Sequence, residues 1–156
     1  MELAREERVR VWLQQGLPDE PAAVACCLAI AAATQPVMLL DPHNMVTAWL
    51  RASTGHRHAP HQAELHEHHA SSHGPEEAAQ AERLTSGGGA LLLTHVEELH
   101  GRPLPRAWAA LLRRRRPGAV HPQFRLYLSS AARSTSAAAL LLPPAHLKLV
   151  MVITCT

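Results

Sequence analysis

Apolar residues in this chain fall into short blocks separated by prolines, glycines and polar runs, and the blocks follow two patterns. Residues 37–41 are apolar without alternation, as expected of a strand covered on both faces in a parallel sheet. Residues 91–96 and 147–154 read as strands of the same kind, and residues 124–130 alternate cleanly as another. Between them lie helical patterns. Residues 22–33 are apolar nearly all round, as in a helix packed in an interior, and are preceded by Asp19 as N-cap with Glu20 and Pro21 in the first turn. From Asn44 the spacing of Met45, Ala48 and Trp49 puts apolar groups on one helical face, ending near Arg51. Residues 76–84 are good helix formers stopped by Ser86-Gly87-Gly88-Gly89. Residues 103–116 place Leu104, Trp108, Leu111 and Leu112 on one face and end in four arginines before Pro117-Gly118. Residues 1–15 are charged and then alternate, which suits a short strand and a helical lead-in equally. Strand followed at once by helix is half of a βαβ unit, so the pattern predicts an α/β fold with a parallel sheet.

Composition narrows this picture. A length of 156 residues suits one domain, residues 1–156, with a single core. Aromatics make up only 3%, so that core is built mainly from Leu, Ala and Val. A formal charge of +2 gives no argument for nucleic acid or an acidic membrane from net balance. The cysteines, Cys26, Cys27 and Cys155, are odd in number and two are adjacent, which is no disulfide framework and suits a reducing, intracellular setting. The mixed-charge N-terminus does not read as a signal peptide. Residues 22–40 approach the length of a membrane span, but Thr34-Gln35-Pro36 divides them into a helix and a strand.

The segment 53–77 departs from its surroundings. It carries His56, His58, His61, His66, His68, His69 and His73 without apolar periodicity and reads as a solvated, disordered, His-rich insertion. A metal site is the sharper alternative, yet His66-Glu67-His68-His69-Ala70 is not the H-E-x-x-H motif and no cysteine lies near. No metal ligand is assigned.

Candidate chemistry centres on the turn after the first strand, where a phosphate loop sits in nucleotide-binding α/β proteins. Between Asp41 and Leu50 there is no glycine and no Lys-Ser or Lys-Thr pair, and the only lysine, Lys148, falls on the last strand. Glu97 and Glu98 follow the strand that could carry a magnesium-binding pair, but the exit position holds Thr94-His95, and the two acids read as helix-surface residues. Arg113 to Arg116 could contact phosphates; as cations at a helix C-terminus they need no such partner. No catalytic or cofactor-binding residue is assigned, and no cofactor.

Several segments read together resemble a known family. Trp12-Leu13-Gln14-Gln15-Gly16-Leu17-Pro18-Asp19, then Gln35-Pro36-Val37-Met38-Leu39-Leu40-Asp41-Pro42 with Trp49-Leu50 behind it, resemble the W-x-x-x-G-L-P-x-D and W-P-L-M-I-D-P-Q-x-Q-A-x-x-W-I signatures of dynein heavy chains. These mark the fifth AAA+ module of the motor ring. Residues 91–99 are similar to that module's V-L-L-E-N-V-G-E-E-L, residues 121–128 to its N-P-x-F-R-L-Y-I, and residues 147–156 to its V-T-L-I-N-F-T-V-T. The segments keep the family's order over residues 9–156. The departures are the histidine-rich insertion in place of the family's second strand and much of the next helix, Asn44-Met45-Val46 in place of G-Q-A, and Thr94 in place of an acid.

The resemblance implies a partial AAA+ α/β layer without the helical lid subdomain, with the last strand beside the first, the first beside that at 124–129, and that one beside 91–96. It implies a noncatalytic structural module of a divergent dynein-like heavy chain, linked to microtubule-based movement through the parent protein. Partners would be other AAA+ modules or dynein-type subunits, and microtubules only through the parent, in the cytoplasm and cytoskeleton, including a cilium or flagellum axoneme. Neither nucleic acid nor membrane is expected as a partner. Exposed edges and marginal stability in isolation are expected. Two other readings stand beside it: an active P-loop ATPase, and a truncated isoform or pseudogene product with no independent activity.

Overall fold

The computed structural model describes residues 2–14, 17, 19–32, 35–52, 65–72, 74–113, 124–132 and 141–154. Five parallel strands form one sheet: β1 (Val37–Leu40), β2 (Leu65–His69), β3 (Ala90–Thr94), β4 (Arg125–Ser130) and β5 (Met151–Thr154), in the order β2-β3-β4-β1-β5. Among the described residues six α-helices accompany them: α1 (Glu2–Gln14), α2 (Pro21–Ala32), α3 (Met45–Ala52), α4 (Pro75–Gly87), α5 (Arg106–Arg113) and α6 (Pro144–Leu147). The chain is α/β, a parallel sheet flanked by helices. The four strands expected from the sequence lie in the expected order, with β1 between β4 and β5 and β3 beyond β4.

Alternation along each strand divides the core into two layers. Met38, Leu40, Leu91, Leu93, Leu126 and Leu128 face one side, where Ala81 and Leu84 of α4 and Trp108, Leu111 and Leu112 of α5 cover them. Val37, Leu39, Leu92 and Tyr127 face the other, against Trp12 of α1, Ala23, Cys26, Cys27 and Ile30 of α2, and Val46, Trp49 and Leu50 of α3. β1 and β3 are buried along their whole length, which explains why their sequences run apolar without a polar face. The small side chains of α2 let the helix lie close to the sheet, and the Cys26 thiol donates to the Thr154 carbonyl at 3.2 Å. Among the described residues no helix is long and apolar enough to cross a membrane.

The structure corrects several boundaries. The lead-in that alternation left open is helix α1, and its Trp12 is fully buried. The histidine-rich stretch is not wholly an insertion: Leu65–His69 form β2, paired in register with β3 from Leu65 opposite Ala90 to His69 opposite Thr94, and α4 already begins at Pro75. Pairing with the open side of β3 supplies backbone hydrogen bonds that the sequence of β2 does not advertise. His68 packs on Trp108 with ring centroids 5.3 Å apart on one face, while on the other Glu67 meets Arg51. The other histidines, 56, 58, 61 and 73, lie outside the described residues. Val96, expected in strand, instead opens a 3-10 turn, Val96–Leu99, because His95 takes a left-handed φ of 57° and bends the chain out of the sheet. Finally, residues 144–147 form α6, so the last strand is shorter than the apolar run. Helix α4 extends through Gly87 and ends where Gly88, with φ 85°, returns its N–H to the Leu84 carbonyl at 2.9 Å. Of the arginine run only Arg113, exposed at the end of α5, is described.

Candidate functional site

In open parallel sheets, ligands bind beyond the carboxyl ends of the strands. Here that edge is formed by Asp41 after β1, Thr94 and His95 at the end of β3, and Ser129-Ser130 at the end of β4. Asp41 N donates to the Ser130 carbonyl at 2.9 Å, which ties the end of β1 to β4 just below the rim. A cavity of about 240 Å³ opens between these ends.

The turn from β1 to α3 is tight. Asn44 N donates to the Asp41 carbonyl at 3.1 Å, and Asn44 adopts a left-handed φ of 56°, which asparagine tolerates better than most residues. Four residues, Asp41 to Asn44, therefore carry the chain from strand to helix. A phosphate loop uses eight, with glycines that let backbone N–H groups converge on the ligand.

The donors at the start of α3 converge instead on the chain's own carboxylate. Asp41 Oδ1 accepts from Met45 N at 3.1 Å, and Oδ2 accepts from Thr47 N and Thr47 Oγ1, both at 2.8 Å. Asp41 is 4% exposed and Thr47 1%. The N-terminal end of a helix attracts an anion through its unpaired N–H groups and its dipole. Asp41 is that anion, fixed in place by the strand it terminates. Beneath it, burial, followed by Cys26 and Asp41, pushes the Cys27 thiol up to about 12 and keeps it protonated.

Lys148 cannot complete a phosphate site. It lies in the turn after α6, ahead of Met151, and the β1–β5 register places Met151 opposite Val37 and Thr154 opposite Leu40. Lys148 is thus at the amino edge of the sheet and Asp41 at the carboxyl edge, with a strand's length between them. The expectation that it sits on the last strand is corrected to this turn.

The acids after β3 part company. Glu98 is exposed, and its Oε2 lies 2.7 Å from His69 Nε2 at the end of β2. His69 Nδ1 accepts from Ser71 N at 3.2 Å, which leaves Nε2 as the nitrogen carrying the proton toward Glu98. The His69 and His95 rings stack at 5.2 Å. Among the described residues no group of three or more His, Cys, Asp or Glu is placed to hold a metal. Glu97, its side chain 34% exposed, borders the cavity with its Oε2 buried. Thr47 and Ser129, whose hydroxyl oxygens are 3.1 Å apart, also belong to this site and were not distinguished by the sequence. The one available sign was Ser129-Ser130 ending an apolar alternation, polar residues at the rim of a buried strand.

Neither a comparison with protein-family models nor one with curated proteins finds a match to this chain.

Proposed function

We propose that this chain is a noncatalytic AAA+ module of a dynein-like heavy chain, acting in microtubule-based movement through its parent protein. The observation that carries the noncatalytic half is Asp41, whose carboxylate occupies the helix N-terminus that a nucleotide phosphate would need. A phosphate brought there meets a buried like charge, a four-residue turn without glycine and no lysine, so binding and hydrolysis of ATP both lose their electrostatic basis. The family half draws on the ordered motifs of the sequence, and the strand order β2-β3-β4-β1-β5 is compatible with it. In this reading the module's work is mechanical. A sheet with two apolar layers passes displacement between neighbouring AAA+ modules or dynein-type subunits, and the parent protein reaches the microtubule in the cytoskeleton or axoneme.

An antibody raised against residues 141–154 tests the family half. Immunoblots of cytoskeletal and axonemal fractions are expected to show a polypeptide of heavy-chain size that co-sediments with microtubules through its parent. A band only at the 17.0 kDa of this chain, absent from those fractions, contradicts the assignment.

A further inference from the structure

Outside the cavity, the turn that follows β2 at the carboxyl edge of the sheet carries an ordered line of three side chains. Ser71 Oγ lies 2.7 Å from His69 Nδ1, and His69 Nε2 lies 2.7 Å from Glu98 Oε2. The neighbours of the ring fix where its proton is. The Ser71 amide N–H points at Nδ1, at 3.2 Å, so Nδ1 holds the lone pair and Nε2 carries its hydrogen toward the Glu98 carboxylate. The Ser71 hydroxyl must then donate to Nδ1. A hydroxyl donating to an imidazole whose far nitrogen is held by a carboxylate is the arrangement that turns serine into a nucleophile. Such a site is defined by these roles, whichever ring nitrogen faces the serine.

The backbone around the line is tied down. Ala70, fully buried between His69 and Ser71, donates its N–H to the Thr94 carbonyl at 2.8 Å and joins the turn to β3. Ser72 N donates to the His69 carbonyl at 3.0 Å, and Trp108 Nε1 donates to the Ser72 carbonyl at 2.9 Å. The His95 ring stacks on that of His69 with centroids 5.2 Å apart and planes 21° from parallel. Base and nucleophile are thus held in reacting geometry before a substrate arrives, which removes an entropic cost from the reaction. Ser71 itself is exposed, so a solute reaches its Oγ.

The turn also holds a donor that is released as the reaction proceeds. When Oγ attacks a carbonyl carbon its proton passes to Nδ1, which can then no longer accept from Ser71 N. That N–H belongs to the nucleophile's own residue and is freed beside the oxyanion that is forming. It exchanges a neutral acceptor for a charged one, the stronger bond, so its effect falls on the transition state. A single donor suits esters with a good leaving group.

We propose that Ser71 is an acyl-accepting nucleophile for small activated esters, aryl esters and thioesters, with His69 as its general base and Glu98 positioning the imidazole. The bond from Oγ to the carbonyl carbon forms as the Oγ–H bond breaks. Collapse of the tetrahedral adduct breaks the bond to the leaving group, which departs with the proton from Nδ1. Water, passing a proton to the same nitrogen, then cleaves the acyl-serine to the carboxylic acid and the free hydroxyl. This activity goes beyond the proposed module role, whose noncatalytic character concerns ATP at the turn between β1 and α3.

The test uses the full chain with p-nitrophenyl acetate, read by nitrophenolate release and by peptide mass analysis after acid quenching. An acetyl group on Ser71 and release beyond one equivalent are expected. Ser71→Ala should lose both, while Ser86→Ala, at another exposed serine, should behave as the parent. His69→Gln is expected to slow acylation at least about a hundredfold, the low end of general-base catalysis. Glu98→Gln is expected to slow it at least about tenfold, the loss of one charge-assisted hydrogen bond. The same variant should turn the single Nε2–H tautomer of His69 into a mixture in imidazole 15N spectra, which a purely structural role would not do. Retained amide peak dispersion certifies that the variants fold. No acetyl on Ser71, or parental rates in Ser71→Ala or His69→Gln, overturns the proposal. Release that stops at one equivalent overturns the hydrolytic step, and a slower Glu98→Gln with an unchanged tautomer overturns the positioning role.

Discussion

Asp41 satisfies two buried donors of Thr47 and one of Met45, so its removal leaves polar groups stranded rather than merely deleting a contact. Stranded buried donors cost about 1–3 kcal/mol. Asp41→Ala is therefore expected to lower stability by about that amount in urea unfolding, and an unchanged midpoint would show that the α3 N-terminus does not depend on this carboxylate. His146 carries a second residue-scale consequence. It is 3% exposed, its Nδ1 has no partner among the described residues, and burial, then the charge of Arg113, hold its pKa below the ordinary histidine value. The folded state thus binds this proton less readily than the unfolded state. Its contribution to stability is complete above the ordinary value of 6.5 and is lost as pH falls below it toward the depressed folded value. Urea midpoints measured from pH 8 down to 5 should fall less steeply for His146→Gln than for the parent; parallel slopes contradict the assignment. Neither residue announced itself in the sequence. Asp41 was read as the last residue of an apolar strand, and only the folded turn shows that its carboxylate serves as the helix's anion. His146 is buried within α6, a short helix that the apolar run had hidden.

At the scale of elements, the sequence was most readable where burial is complete. β1, β3 and β4 lie between two helical layers, so they carry unbroken or alternating apolar runs that no exposed segment would keep. β2 was unreadable for the opposite reason. As an edge strand it has one neighbour, its residues are only half-buried or exposed, and histidine and glutamate stand where the inner strands have leucine. Charged and polar side chains on an edge also discourage pairing with other chains, so this composition fits its position. The bidentate Arg51–Glu67 pair links α3 to this edge, with side chains 39% and 38% exposed. Exposed pairs contribute little, so a double-mutant cycle on Arg51→Ala and Glu67→Ala should give a coupling of about 0.2–1 kcal/mol that shrinks in high salt. A coupling several times larger, insensitive to salt, would mean the pair is the principal anchor of β2. Register with β3 and the packing of His68 on Trp108 hold the strand in this account.

For the whole molecule, strand order decides what lies next to what. Placing β1 between β4 and β5 brings Asp41 to Ser130 and the cavity, while the same parallel register sends Lys148 to the far edge. The order itself was legible, through the resemblance of five ordered segments rather than through any local propensity. The interior of the cavity was not, since Glu97 reaches it only because His95 turns the chain left-handed at the end of β3. Together these features leave a parallel α/β sheet in which the helix N-terminus after β1 is filled by the protein's own carboxylate. Isothermal calorimetry of the full chain with Mg-ATP tests that claim most directly. The account predicts no saturable binding up to millimolar nucleotide, the weak end of the affinity scale at about −4 kcal/mol. A stoichiometric isotherm with micromolar affinity would contradict it.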